Sequence, residues 1–243
     1  MRAQGRYFDN LIKKLNELRE NDDSIERAAS AIANSLENDG LIHIFGTGHS
    51  HMLAEEMFYR AGGLGAVNPI LDEDLMLHKN ASRSTELERD AELASTILGK
   101  HHLSKGDVFI IASNSGGNAL IEEIAKRVKE LNLVVIAITS IQHATSLVAR
   151  AKGRKLHELA DIVIDNLGEV GDASIDFNEI SEKVAPTSTA VGAAIVNAIT
   201  ARSVEILIAR GVKPQIFSSS NTVEGDIRNN EIISRLKSRI PIL

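Results

Sequence analysis

The chain has 243 residues, of which 43% are hydrophobic and 25% charged, which is typical of a globular protein with one sizeable core. A formal net charge of -6 and an aromatic content of 3% argue against a nucleic-acid binder, which needs a basic face or stacking platforms. The absence of cysteine excludes disulfides and thiolate metal sites. Without an apolar leader or an uninterrupted apolar run of ~20 residues, we expect a cytoplasmic protein that does not enter a membrane.

Two amphipathic helices are predicted at the amino terminus. Apolar residues from Tyr7 to Leu18 fall on one helical face, and a second helix begins near Asp23, with Glu26 three residues later. The turn Asn38-Asp39-Gly40 ends the pair. We therefore expect a helical hairpin over residues 1–39, packed on the core or on a partner subunit, and one larger domain over residues 40–243.

Five short apolar runs then alternate with helical patterns. The runs are mostly β-branched with little alternation, which is typical of strands covered on both faces: Leu41–Phe45, Ala66–Ile70, Val108–Ala112, Leu133–Thr139 and Asp161–Asp165. Helices are predicted at about 50–61, 85–100, 118–131, 143–150, 187–210 and 226–238, and a capping box from Thr85 to Glu88 opens the second of these. This order predicts right-handed crossovers, a five-stranded parallel sheet and a three-layer α/β/α sandwich.

The first strand runs into a glycine-rich turn, Gly46-Thr47-Gly48-His49-Ser50. Glycines allow the backbone to approach a ligand closely, and a helix amino terminus offers free N–H groups to an anion. The turn lacks the third glycine of the dinucleotide fingerprint and the lysine of a P-loop, and no acidic residue ends the second strand, so dinucleotide binding is disfavoured. We expect one of His49 and His51 to reach the ligand.

The third strand opens into a second polar turn, Ser113-Asn114-Ser115-Gly116-Gly117-Asn118. Its side chains and amides can surround a tetrahedral anion, whereas a plain helix cap needs only one such residue. Thr139 and Ser140 repeat the pattern more weakly after the fourth strand, where a simple N-cap explains them equally well. The carboxyl ends of parallel strands meet at one edge of a sheet, so these turns are expected to form one site.

Together the two turns resemble those of the sugar isomerase (SIS) domain family. A third segment, Val184-Ala185-Pro186-Thr187-Ser188-Thr189, is similar to the opening of the long helix in arabinose 5-phosphate isomerases. The amino-terminal hairpin and the second turn are closer to phosphoheptose isomerases and muramic acid 6-phosphate etherases. The resemblance covers about residues 40–212 and implies a flavodoxin-like fold that binds a phosphorylated sugar as a homodimer or tetramer with a shared active site.

The resemblance also implies roles for single residues. Ser50, Ser113, Ser115 and Asn118 would hold the phosphate, with Gly46, Thr47, Gly48, His49, Asn114, Gly116, Thr139 and Ser140 around them. Thr187, Ser188 and Thr189 would line the sugar end. Asn118 stands where phosphoheptose isomerases usually have a further serine.

Three residues are candidates for the acid–base chemistry that moves a carbonyl between sugar carbons. Glu56 matches a position at which arabinose 5-phosphate isomerases carry a functional lysine, and His78 resembles the histidine after their second strand. Glu169 lies in the loop Gly168-Glu169-Val170-Gly171-Asp172 after the fifth strand, although functionless loop acidity is nearly as plausible. Arg60 occupies the position of the glutamate of phosphoheptose isomerases, which disfavours a plain assignment to that enzyme. Asn221, near a histidine position of arabinose 5-phosphate isomerases, could recognise hydroxyls or an N-acyl group.

The leading hypothesis is a sugar-phosphate isomerase that needs no cofactor and no metal. Two alternatives stay open. One is an etherase or lyase that begins with the same proton abstraction, and the other is a non-catalytic domain that senses phosphosugars or bridges proteins.

Overall fold

The computed structural model describes residues 2–148 and 153–243, and a five-stranded parallel sheet forms its centre. The strands lie in the order β2-β1-β3-β4-β5. Their bounds are β1 (Ile42–Gly46), β2 (Val67–Ile70), β3 (Val108–Ala112), β4 (Val134–Thr139) and β5 (Ile162–Asp165). The register aligns Ile42 with both Val67 and Val108, and the strand order reverses between β1 and β3. The expected α/β three-layer, flavodoxin-like fold is confirmed.

Ten α-helices, two short 3₁₀ helices (Gly48–His51 and Glu73–Leu75) and a small second sheet complete the described part of the chain. The helices are α1 (Ala3–Glu20), α2 (Asp23–Glu37), α3 (Met52–Met57), α4 (Leu77–Leu87), α5 (Leu93–Leu98), α6 (Ala119–Glu130), α7 (Ile141–Ala144), α8 (Leu156–Leu159), α9 (Ser188–Ala209) and α10 (Val223–Leu236). The second sheet pairs β6 (Ala173–Ile175) with β7 (Val184–Pro186), a hairpin that the sequence pattern did not predict. Part of the helix expected at 143–150 lies outside the described residues.

The prediction of a single helix over 85–100 is wrong. The chain forms α4 and α5 instead, and Thr85 lies inside α4, where its hydroxyl donates to the carbonyl of Ala81. Thr85 therefore caps nothing, because a capping residue must precede the first helical turn. The segment from Glu88 to Glu92 separates the two helices, and the carboxylate of Glu88 accepts the hydroxyl of Thr47 in the first glycine-rich turn.

Side chains alternate between the two faces of the sheet, so each strand contributes to two cores. Ile42, Ile44 and Ile110 pack under α2, α3 and α9, whereas Phe109 and Ile111 pack under α5, α6 and α8. All five of these side chains are buried. Burial on both faces explains why the strands read as continuous apolar runs.

Helix α9 is long and apolar enough to cross a membrane by length and composition alone. Its inner face, which includes Val191, Ile195 and Ile199, is buried in the core. Asn197 and Arg202 interrupt its outer face with hydrogen bonds to Glu56 and Glu26. This arrangement is that of a core helix packed on the sheet.

The carboxyl-terminal segment packs beside the start of β1 rather than at its end. Phe217, Ile232, Leu236 and Ile240 form a third core with Leu41, which precedes β1. Asn221 lies in the loop before α10, where it is exposed and its N–H donates to Ser219. No hydrogen bond among the described residues joins it to either polar turn.

Candidate functional site

The first polar turn follows β1 at the point where the strand order reverses. Gly46 cannot be larger, because an added Cβ would lie 2.7 Å from the backbone carbon of Ser50. Gly48 has a φ of 54°, in the left-handed region that favours glycine. These two positions fold the backbone tightly enough to bring His49 and Ser50 to the wall of a pocket at the end of the strand. Thr47 turns away and donates its hydroxyl to Glu88.

The second polar turn joins β3 to α6 on the neighbouring strand. The hydroxyl oxygen of Ser113 accepts the N–H of Gly116 at 3.2 Å, which closes the turn. Gly116 has a φ of 59°, and its carbonyl accepts the N–H of Leu156. By contrast, the side chains of Ser115 and Asn118 make no hydrogen bond within the described residues. The Ser113 hydroxyl therefore helps to hold the turn, the Leu120 N–H at the start of α6 donates to the carbonyl of Glu88, and the side chains of Ser115 and Asn118 stay free.

The pocket between these turns is lined by His49, Ser50, Leu53, Ala112, Ser113, Asn114, Ile138, Asn166, Ser188 and Thr189. It is narrow: its free volume is about 10 Å³, roughly the space of one water molecule. Larger cavities of about 480 and 540 Å³ lie elsewhere, one beside α10 and one between α1, α2 and α9. The narrow pocket nevertheless carries the convergent polar groups that a ligand site needs.

Thr139 and Ser140, expected to bind the ligand, instead tie the loops together. Both are fully buried. The Thr139 hydroxyl donates to the carbonyl of Asn114 at 3.1 Å, and the Ser140 hydroxyl donates to the carbonyl of Gly168 at 2.5 Å. Ser140 also caps α7 by accepting the N–H of His143. Their hydroxyls thus fix the ends of three adjacent strands.

The amino terminus of α9 reaches the pocket through Ser188 and Thr189. The carboxylate of Asp172 caps this helix, because it accepts the N–H groups of Thr187 and Ser188 and the hydroxyl of Ser188. Asp172 has a φ of 68° and follows Gly171 in the loop after β5. Thr187 is fully buried, and its hydroxyl has no partner within residues 2–148 and 153–243.

Two of the expected catalytic residues lie outside the pocket. The carboxylate of Glu56 pairs with Arg60 and accepts the amide of Asn197 at 2.7 Å, which joins α3 to α9. His78 is exposed on α4. In the described chain, neither side chain forms a hydrogen bond with the polar turns.

Glu169 is held by the amino-terminal helix. Its two carboxylate oxygens accept from Lys14 Nζ at 2.9 Å and from the Asn10 amide at 3.1 Å. Burial alone would raise the pKa of Glu169, but these hydrogen bonds outweigh it, and the pKa lies below its ordinary value. A carboxylate held ionised in this way is a structural partner of α1 and a poor general base.

Two further polar residues, which the sequence analysis did not indicate, lie at the carboxyl edge of the sheet. Asn166 lines the pocket and is almost fully buried. His143 accepts the N–H of Gly171 through Nδ1, and burial lowers its pKa despite the nearby charge of Asp172. Asn166 directly follows β5, so the rule that indicated Ser113 could also have indicated it, whereas His143 lies within α7. Within the described residues, no cluster of three histidines and carboxylates suited to a metal ion occurs.

Comparison with known proteins gives a consistent picture. A sequence model described as an SIS domain matches residues 6–140. A UPF0309 protein of Geobacillus thermodenitrificans is 42% identical over 242 residues, with 97% of each chain covered. A UPF0309 protein of Listeria monocytogenes is 40% identical over 239 residues, covering 98% of this chain and 97% of its own. A solved phosphoheptose isomerase from Francisella tularensis has a TM-score of 0.50 and 16% identity, covering 82% of this chain and 98% of its own, which is a likeness of fold.

Proposed function

Because the chain belongs to the SIS domain family, we propose that it binds the phosphate of a phosphorylated sugar between its two polar turns and isomerises that sugar. One observation carries the proposal. The hydroxyl of Ser115 and the side-chain amide of Asn118 make no hydrogen bond within the described residues, although both lie in the polar turn between β3 and α6. Free side-chain donors just before a helix amino terminus suit a dianionic phosphate.

The size of the pocket decides which part of the ligand it can take. A free volume of about 10 Å³ admits an anionic group after small loop movements, whereas typical ligand pockets measure about 300 to 1,000 Å³. The sugar therefore extends beyond the pocket, past Ser188 and Thr189. A second subunit that covers this opening would complete the site, in line with the expected homodimer or tetramer.

Isomerisation requires a group that moves a proton between adjacent carbons. His49 is the titratable side chain that lines the pocket in the described chain, and it is exposed to incoming ligand. Imidazole can accept or donate a proton near neutral pH. We assign His49 to this step.

Ser115 provides the sharpest test of phosphate binding. Unlike Ser113, it supports no hydrogen bond of the turn, so S115A removes a ligand contact without unfolding the loop. Wild-type protein should be stabilised by phosphosugars by about 2.7 kcal/mol at 100 times the dissociation constant. S115A should weaken that binding about tenfold or more, since a hydrogen bond to a charged group contributes roughly 1.5–3 kcal/mol. A thermal-shift titration with pentose, hexose, heptose and amino-sugar phosphates measures both quantities.

Controls separate the alternatives. S95A changes an exposed serine of α5 that bonds only the carbonyl of Glu92, so it should leave the titration unchanged. A ligand that binds should next be assayed for turnover. Conversion between aldose and ketose supports the isomerase, release of lactate indicates an etherase, and binding without turnover indicates a sensor. If free sugars shift the protein as much as phosphosugars do, the phosphate site is wrong.

A further inference from the structure

Asn166 connects the end of β5 to the second polar turn. Its side-chain amide nitrogen donates to Oδ1 of Asn114 at 2.6 Å, across 52 residues of sequence. Its backbone N–H donates to the carbonyl of Thr139 at 2.9 Å, which anchors it to β4 as well. Asn166 is 3% exposed, so neither bond competes with bulk water.

The orientation of both amide groups follows from one unambiguous donor. The oxygen and nitrogen of an asparagine side chain are distinguished by their partners rather than by their shape. Oδ1 of Asn166 accepts the backbone N–H of Gly168 at 3.0 Å, and a backbone N–H can only donate. The other end of the Asn166 amide must therefore be its NH₂ group. That group donates to Asn114, so the atom of Asn114 that it meets must be an oxygen.

This leaves the NH₂ group of Asn114 without a partner among the described residues, on a side chain that lines the pocket. We infer that Asn166 is a positioning residue, which turns the Asn114 amide so that it presents a donor to the bound anion. The inference rests on the proposed phosphate site. Leu167, with a φ of 56°, holds the turn that aims the Gly168 N–H back at Asn166.

The isosteric variant N166D inverts this polarity. Its ionised carboxylate can still accept from Gly168 but has no proton to donate to Asn114. Rotation of the Asn114 amide then gives its NH₂ group a hydrogen bond to the carboxylate at position 166. The same rotation turns the Asn114 oxygen toward the anion. When the introduced carboxyl is protonated, its hydroxyl can donate to Asn114 and restore the native orientation.

The experiment measures sulfate affinity, because sulfate keeps one charge state between pH 5 and pH 8. We expect N166D to bind sulfate about tenfold more weakly than wild type at pH 8, the loss of a charge-assisted hydrogen bond, and to recover toward pH 5. The negative charge of N166D would by itself also weaken sulfate binding. The substitution is therefore also made in the N114A variant, which has no amide at position 114. There we expect the effect of N166D to shrink to about threefold or less, since no Asn114 amide remains to rotate.

A matched control is N229D. Asn229 is also a buried asparagine, whose Oδ1 accepts a backbone N–H and whose amide donates to a backbone carbonyl, but it lies on α10. N229D should leave sulfate affinity unchanged. In wild type, sulfate should also shift the side-chain NH₂ resonances of Asn114 in NMR spectra.

The inference would be overturned if N166D reduced sulfate affinity equally in the presence of Asn114 and in the N114A variant. It would also be overturned if bound sulfate left the side-chain NH₂ resonances of Asn114 unshifted. Failure of the wild type to bind either sulfate or inorganic phosphate is a different result. It would remove the phosphate site itself, and the inference with it.

Discussion

At the scale of single residues, Asn68 joins two histidines through one amide. Its nitrogen lies 2.9 Å from Nδ1 of His43 and 3.2 Å from Nδ1 of His101, so both ring nitrogens accept. Nε2 of His43 donates to the buried carboxylate of Asp107 at 3.0 Å. The pKa of Asp107 lies below its ordinary value, because hydrogen bonds from His43 and from backbone N–H groups outweigh the effect of burial.

Acid should weaken the network at His101. Burial, followed by the charges of His43 and Lys100, lowers the pKa of His101 to about 4. The unfolded chain protonates this histidine at about pH 6.5, so between these values the unfolded state binds more protons and stability falls as the pH falls. We expect H101Q to flatten this part of the profile, as urea unfolding of both proteins from pH 7 to pH 4 can measure. Parallel pH profiles for the two proteins would contradict the assignment.

At the scale of elements, one lysine docks the amino-terminal helix. Lys14 is 5% exposed. Its ammonium donates to Glu169 at 2.9 Å and to the carbonyl of Leu167, both beside the loop that holds Asn166. Asn10 binds the other oxygen of the same carboxylate. The helix is thus fixed to the carboxyl edge of the sheet by a partly buried ion pair as well as by apolar packing.

K14M should destabilise the protein by about 2–3 kcal/mol, because it leaves a partly buried carboxylate without its cation. The double variant K14M/E169Q should recover part of this loss, since no unpaired charge remains. K13M is the matched control: Lys13 is the exposed neighbour on the same helix, and its substitution should change stability by about 0.5 kcal/mol or less. Urea unfolding gives all three values. A K14M protein as stable as K13M would show that the ion pair contributes nothing.

At the scale of the whole molecule, α1 presents an apolar face that residues 2–148 and 153–243 leave exposed. Phe8 is 59% exposed and Ile12 56% exposed. Beside them lies a cavity of about 540 Å³ between α1, α2 and α9, whose apolar lining includes Leu15 and Ile25. Contiguous exposed apolar surface of this kind often marks an association site. We expect a second copy of the chain to cover it.

I12D should therefore shift the protein toward monomer in sedimentation equilibrium over a concentration series, because association would bury a charge without a partner. I227D is the matched control, since Ile227 is 60% exposed on α10, away from this face. It should leave the association state of the wild type unchanged. A monomeric wild type at every concentration, or equal effects of the two substitutions, would place the subunit contact elsewhere or exclude it.

Much of the fold could be predicted because its signals are local. A buried strand of a parallel sheet reads as an apolar run whatever lies above it, and β3 was predicted with its observed bounds, Val108–Ala112. The two polar turns were also predicted, since glycine and small hydroxyl residues directly after a strand indicate a ligand-binding edge. The helix expected at 85–100 failed because Thr85 and Glu88 match a capping box by spacing, while the surrounding tertiary contacts place them at the end of a helix.

The sequence by itself determined the five strands of the central sheet, their layered arrangement and the positions of the two polar turns, because each of these depends on residues within one short segment. Only the tertiary structure decided which polar groups are free to meet a ligand. It pairs Glu169 with Lys14 across 155 residues, Glu56 with Asn197 across 141, and Asn166 with Asn114 across 52. The partner of a polar side chain is set by packing between distant elements, so no local pattern can distinguish a carboxylate or an amide that binds a ligand from one that binds the protein.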